Sequence, residues 1–315
     1  MNTQSENTPE FTGVNDPSQS APASGYSKSS TQPFYWSVRR ELWENRSIYV
    51  APLIVAVVVL LGFLISTIGM PERRQGVLLL DPAHQRAMIG MPYDVAAMML
   101  IVTAFIVGVF YCLDALHSER RDRSILFWKS LPVSDLTTVL SKASVPFVIL
   151  PLIIFGTVVL VQFLMLLWSS AILLPSGLAA TTWTRFNLFQ QSVILLYSLI
   201  VIALWHAPIY GWALVISGWA RRATFLWAVL PFLAIGVLEK IAFDTSHFAS
   251  MLKDRVFGAG DTAFAFQPHR GVAIDSLVQL TPGRYLTTPG LWIGLAFAAA
   301  FVAIAVRQRR YRGPI

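Results

Sequence analysis

Asp94, which follows Tyr93, and Asp261, which closes Gly258-Ala-Gly-Asp, are the carboxylates whose pairing would make this chain a hydrolase. Two carboxyl groups sharing one proton can activate a water, because like charges held close cannot both ionise. That chemistry needs both groups inside facing apolar helices. Asp261 shares its segment with Lys253, Asp254, Arg255 and Arg270, too polar a stretch to span a membrane, and Asp94 stands at a helix entrance behind Pro92. Ser250 and Lys253 match S-x-x-K without the motifs that usually accompany it. H-E-x-x-H and G-x-S-x-G are absent, and no lysine follows a glycine, so no phosphate-cradling G-x-x-x-x-G-K-[ST] loop exists. The single cysteine, Cys112, lies in an apolar run, and no Cys/His spacing suits zinc. No catalytic residue, cofactor or metal site is expected.

Two polar side chains fall in the middle of apolar runs. His206 lies two residues before Pro208, and Gln162 lies inside the run 145–167. An ionisable or polar group at that depth is a candidate for a substrate path. The alternative for His206, which the sequence favours, is a neutral imidazole bonded to a carbonyl that Pro208 frees or to a neighbouring helix. Gln162 carries the same two readings.

The most unusual stretch is SERRDRSILFWKSLPVSD, residues 118–135. It sets five consecutive charges, Glu119 to Arg123, directly before Ile125, Leu126, Phe127 and Trp128, with Lys129 and Pro132 following. Exposed apolar bulk beyond a membrane marks an interface. Pro132 ends the short helix, and Ser134 suits the cap of the next. An aromatic knob (Phe127, Trp128) with a charged rim (Glu119, Arg120, Arg121, Arg123) has the form of a mechanical coupler. A solvated loop held by its arginines is the plainer alternative.

The elements that must position these residues are membrane helices. Of 315 residues 55% are hydrophobic and 13% charged, about half the roughly 25% charge of a soluble domain. A span needs about 20 apolar residues, and such runs occur at 48–68, 95–113, 145–167, 192–219, 223–238 and 291–306. The fold class is therefore all-α: a polytopic membrane protein with six transmembrane helices forming a domain over 48–315. Within it, 114–144 is a coupling segment and 239–290 an outer loop bearing short helices.

With the amino terminus inside, about 15 of the 24 Lys and Arg lie on inner segments, concentrated at Arg221-Arg222 and over 307–312. Both termini are expected in the cytoplasm, and the net charge of +7 reads as topology and not as nucleic-acid binding. Residues 1–32, rich in Ser, Thr, Pro, Asn and Gln, read as a disordered cytoplasmic tail. Residues 33–47 read as an amphipathic helix in the bilayer interface. Phe34, Tyr35, Trp36, Val38, Leu42 and Trp43 share one broad face, with Arg40, Glu41 and Glu44 opposite and Arg39 and Arg46 able to snorkel.

The block at 118–142 resembles a pattern found in type-2 ABC exporter permeases. Between their second and third spans many carry E-R-x-x-G-T, an apolar run, then x-P-[VIL]-S, with Gly-Lys before the next span. Glu119, Arg120, Pro132, Val133, Ser134 and Lys142 fall at matching spacing. Arg123 and Ser141 stand where glycines are common, and Ser124 replaces the threonine. The interfacial helix, six spans and outer region agree with that architecture. The resemblance implies a homo- or heterodimer of permease subunits in a bacterial inner membrane, driven by separate ABC ATP-binding subunits into which the transverse segment plugs. The competing readings are a GxGD-like intramembrane aspartyl protease, resting on Asp94 and Asp261, and a membrane assembly protein recruiting a cytosolic partner through the same block.

Overall fold

The computed structural model describes residues 31–130, 133–265 and 276–315. The expected tail at 1–32 lies almost wholly outside the described residues, as do Pro132 and part of the 239–290 loop. Among the described residues the chain is all-α, with six helices long and apolar enough to cross a membrane. It is a multi-pass membrane protein.

Helix α1 (Thr31–Glu44) carries Pro33 in its first turn, where proline's missing N–H costs nothing. Helix α2 (Ser47–Ser66) is a near-continuous apolar pass. Arg73 of α3 (Met70–Leu78) folds back to donate to the carbonyl of Ile68 at 2.7 Å, satisfying the chain just past α2.

Helix α4 (Pro82–Ala115) starts where Asp81 accepts from the backbone N–H groups of Ala83 and His84. It therefore extends one apolar pass well beyond the run at 95–113. Two short helices follow it: α5 (His117–Arg121) and α6 (Ser124–Ser130). Ser134 caps α7 (Asp135–Ser144), which continues through a π-helical turn, Val145–Ile149, into α8 (Leu150–Leu173). Pro146 in that turn cannot donate to the helix ladder, which accounts for the irregular register.

After α9 (Ala180–Arg185), the fourth pass is broken. Helix α10 (Leu188–Trp205) ends at His206, and α11 (Ala207–Trp219) resumes with Pro208 in its first turn. The Arg221-Arg222 hairpin, with Ala223 at φ 52°, leads into α12 (Thr224–Phe243). Beyond lie α13 (His247–Phe257), α14 (Ala259–Ala263), a 3-10 turn (Leu277–Gln279) and α15 (Pro282–Thr287), before the last pass, α16 (Pro289–Tyr311).

Helix α4 is central, packing on α2, α8 and α11, and α11 packs on α16. Membrane helices have no hydrophobic force between them, so small residues that admit close approach hold them together. Gly108 of α4 faces the Tyr210 ring, 3.1 Å from where a Cβ would stand, and Gly211 of α11 stands against the Ala298 backbone of α16. Helix α12 buries none of its residues. It meets the bundle through Trp212, which stacks edge-on with Phe232 and donates to the carbonyl of Ala228.

Candidate functional site: a transverse helix keyed to a buried charge cluster

The block at 118–135 lies at the end of the bundle that gathers Arg120, Arg221, Arg309 and Arg312, here termed the basic end. Its two short helices meet at Arg123, which has φ 59°. A side chain there crowds the following carbonyl, which is why glycine is usual in such a turn. This is one of the two positions where glycine is common in the resembling pattern, and the backbone here has the conformation that favours glycine.

The rim expected from the sequence divides in two. Arg121 and Arg123 are exposed, Arg121 pairing with Asp122 at 3.1 Å. Glu119 and Arg120 are not a rim: both are buried. Arg120 donates through Nη1 to the carbonyls of Gly218 (2.7 Å) and Ala220 (3.4 Å) and through Nε to that of Gly313 (3.2 Å). Beside it, Ser217 Oγ accepts from the N–H groups of Leu116 and His117 at 2.8 and 2.9 Å. The break between α4 and α5 is thus capped by α11, because N–H groups at a helix start need an acceptor.

Glu119 enters a cluster that sequence reasoning did not assemble. Its Oε1 lies 3.2 Å from Lys142 Nζ and accepts from Arg40 Nη2 at 3.3 Å; its Oε2 lies 3.6 Å from Arg309 Nε. Lys142 also donates to Glu41 Oε1 at 2.8 Å, and Glu41 Oε2 accepts from the Tyr111 hydroxyl at 2.8 Å. Arg309 pairs with Asp135 through Nη1. Three cations (Arg40, Lys142, Arg309) thus face four carboxylates (Glu41, Glu119 and Asp135, with Glu44 at the exposed edge). Glu41 is 1% exposed and Lys142 2%, and burying such charges is tolerable only when they are matched this closely. Burial opposes the charge on Arg40, but its hydrogen bond to the Glu44 carboxylate and the charges of Glu44, Glu119 and Glu41 prevail and raise its pKa.

The cluster joins α1, α4, α5, α7 and α16. One joint is slack: Glu119 Oε2 and Arg309 Nε are both buried and neither makes a hydrogen bond. It also gives the polar face of α1 a partner inside the bundle. Tyr35, Trp36 and Trp43 are exposed on the outside of the bundle, while the face bearing Arg40 and Glu41 turns inward to the cluster. The signal available in the sequence was Lys142 itself, a lone ammonium at the mouth of an apolar run, which demands a carboxylate.

Helix α6 projects from this assembly. Leu126 and Phe127 are 59% and 60% exposed, whereas Ile125 is buried beneath them. Trp128 is half-buried: the Arg40 guanidinium sits 3.4 Å from its ring centroid, and Phe127 packs on it edge-to-face at 5.0 Å. Lys129 Nζ donates to the carbonyls of Arg310 (3.3 Å) and Arg312 (3.4 Å) at the end of α16. Pro132 lies outside the described residues. The aromatic pair is therefore one exposed contact, Phe127, and one internal key, Trp128.

An apolar groove of about 770 Å³ opens between α7 with its π turn and α16, lined by Leu136, Leu140, Phe147, Leu295, Val302 and Val306 among others. Asp135 and Arg309 bridge the same two helices near its mouth. Neither Gln162 nor His206 lines this groove. Gln162 Nε2 donates to the carbonyl of Tyr93 at 3.2 Å, and its Oε1 is buried without a partner. His206 closes the break between α10 and α11. Its Nδ1 lies 2.8 Å from the carbonyl of Ile202, four residues back, and its Nε2 lies 3.0 Å from that of Val256 in α13. Trp205 Nε1 donates to the carbonyl of Asp254, and Arg255 donates to those of Trp205 and Gly290. His206 thus belongs to a seam that fastens α13 to the bundle. Asp261 is exposed on α14, outside the six candidate spans, which is not the position a paired-aspartate centre requires.

No known protein family, curated protein or solved structure matches this chain.

Proposed function

We propose that this chain is the membrane-spanning subunit of an ATP-driven exporter, with ATP hydrolysed by a separate subunit that docks on α5 and α6. The observation that carries this reading is the construction of α6: an exposed apolar tip whose base stacks on Arg40, itself paired with the buried Glu119 of a charge cluster that spans α1, α5, α7 and α16. A merely solvated loop has no use for an arginine stacked on Trp128 or for a glutamate sunk into an ion cluster.

In this reading a partner that moves Phe127 moves Trp128, and Trp128 pulls on Arg40. Arg40 and Glu119 carry the displacement to α1, α7 and α16. The slack Glu119–Arg309 joint lets α16 shift against α5 at that contact, and the Arg309–Asp135 hydrogen bond carries the shift to α7 on the other side of the groove. Interfaces with two packed arrangements convert a small shift into a helix movement. With the basic end in the cytoplasm of a bacterial cell, as the arginine-rich short loops favour, that end faces the ATP.

Affinity purification of the full chain from its native membrane tests this. The expected result is a co-purifying protein with a phosphate-cradling loop and an ATPase activity that depends on the chain. Recovery of the chain with no nucleotide-binding partner under mild solubilisation contradicts it.

A further inference from the structure

Beside the coupling block, the basic end holds a cavity of about 460 Å³ bounded by Arg120, Arg221, Arg312 and the segment Gly313–Ile315. No Asp or Glu side chain lines it. The three arginines come from α5, the α11–α12 hairpin and the end of α16, so the topology gathers like charges from three distant stretches of chain. Arg120 is held by carbonyls through Nε and Nη1, and Arg312 Nη1 donates to the carbonyl of Trp219 at 3.0 Å. Among the described residues Arg221 makes no hydrogen bond or ion pair with protein. Three guanidinium groups surround one open space, two of them anchored by neutral carbonyls, and the only carboxylate at the lining is the terminal group of Ile315. The cavity is thus net positive and suits a further anion.

The depth of the cavity indicates which anion. Trp219 and Trp227 flank the hairpin, 40% and 44% exposed, and pack edge-to-face at 5.1 Å. Tryptophan concentrates at the headgroup level, where its ring is half in hydrocarbon and its N–H meets water. The cavity therefore opens at headgroup depth, beside two apolar helices that end there. Guanidinium groups match phosphate oxygens in planar, paired hydrogen bonds, and basic pockets between membrane helices accept acidic headgroups.

We propose that this cavity seats the phosphate of an anionic lipid headgroup from the leaflet at the basic end, with Arg221 and Arg312 contacting it and Arg120 forming its floor. The proposal does not depend on the exporter reading. A seated lipid would tie α5, the hairpin and the end of α16 together next to α6, stiffening the platform on which α6 stands.

Native mass spectrometry of the full chain in detergent, titrated with phosphatidylglycerol or phosphatidylcholine, tests it. The wild type should retain phosphatidylglycerol and not phosphatidylcholine. Arg221→Gln and Arg312→Gln should each weaken that retention about fivefold, the effect of one basic group at an anionic surface. Arg310→Gln, which removes an equal charge from an exposed site outside the cavity, should leave retention unchanged. Equal losses in all three variants, or none in any, overturn the proposal. Inorganic phosphate provides the second arm. If millimolar phosphate protects the wild type thermally in an Arg221-dependent way and phosphatidylglycerol adds nothing, the site takes free phosphate and the lipid assignment is wrong.

Discussion

Lys142 Nζ stands 3.2 Å from Glu119 Oε1 and 2.8 Å from Glu41 Oε1, joining residues far apart in sequence inside the basic end of the bundle. Glu119 and Lys142 are the first and last charged members of the block that resembles the exporter pattern, and their contact gives that spacing a physical cause. The glutamate ends the second pass, the lysine opens the third, and each neutralises the other where neither has access to water.

Removing the ammonium should therefore be costly. Lys142→Met leaves Glu41 and Glu119 buried beside each other, and breaking a buried pair from one side costs about 3–5 kcal/mol. The Tm in detergent should fall accordingly. Adding Glu41→Gln should recover a large part of the loss, because the amide oxygen still accepts from Tyr111 and one buried charge is gone. A single mutant as stable as wild type would mean that the cluster contributes nothing to the fold.

Arg123 adopts a left-handed conformation, φ 59°, that is unfavourable by about 1–2 kcal/mol for a residue with a Cβ. Arg123→Gly should raise Tm by an amount equivalent to about 1 kcal/mol, less the extra flexibility glycine gives the unfolded chain. Arg123→Val should lower it, since β-branching makes a positive φ worse. Thermal denaturation of the two variants should move in opposite directions.

His206→Ala removes a ring that bonds the α10–α11 break to α13. The carbonyl of Val256 then loses its partner, a penalty of about 1–3 kcal/mol if it stays buried. The seam over 254–256 should open, and limited proteolysis should cut within 244–265 faster while membrane insertion is unchanged. Protection equal to wild type would show that Trp205 and Arg255 hold the seam without the histidine.

Topology is checked by single cysteines at Pro314 and Ser250 in a Cys112→Ala background. Pro314 should label from the side that α6 faces, and Ser250 from the opposite side. Labelling of both from one side would mean that one of the six passes does not cross.

The passes were legible in the sequence because a run of about 20 apolar residues is a property of composition, needing no knowledge of neighbours. The ends of α4 were less legible, because Asp81 caps a polar extension that hydropathy ignores. The site was legible at its tip, where Leu126, Phe127 and Trp128 follow a charge block, and illegible at its base. The sequence showed Glu41 among the polar residues of an amphipathic helix. Only its pairing with Lys142, a contact across 101 positions, turns that face inward. Arg309 was likewise one of several arginines near the end of α16 until the fold set it against Glu119 and Asp135.

The central claim is that α6 is the surface on which an ATP-hydrolysing subunit acts, and Phe127 tests it most directly. Its side chain is exposed and outside the ion cluster, so Phe127→Ala should insert normally and keep the wild-type Tm. A buried interface aromatic is a hot-spot residue whose truncation costs about 2 kcal/mol or more. The affinity of the detergent-solubilised chain for the proposed ATP-hydrolysing subunit should therefore fall at least about tenfold. Wild-type retention of the ATPase by Phe127→Ala, with the tip truncated, would contradict the account.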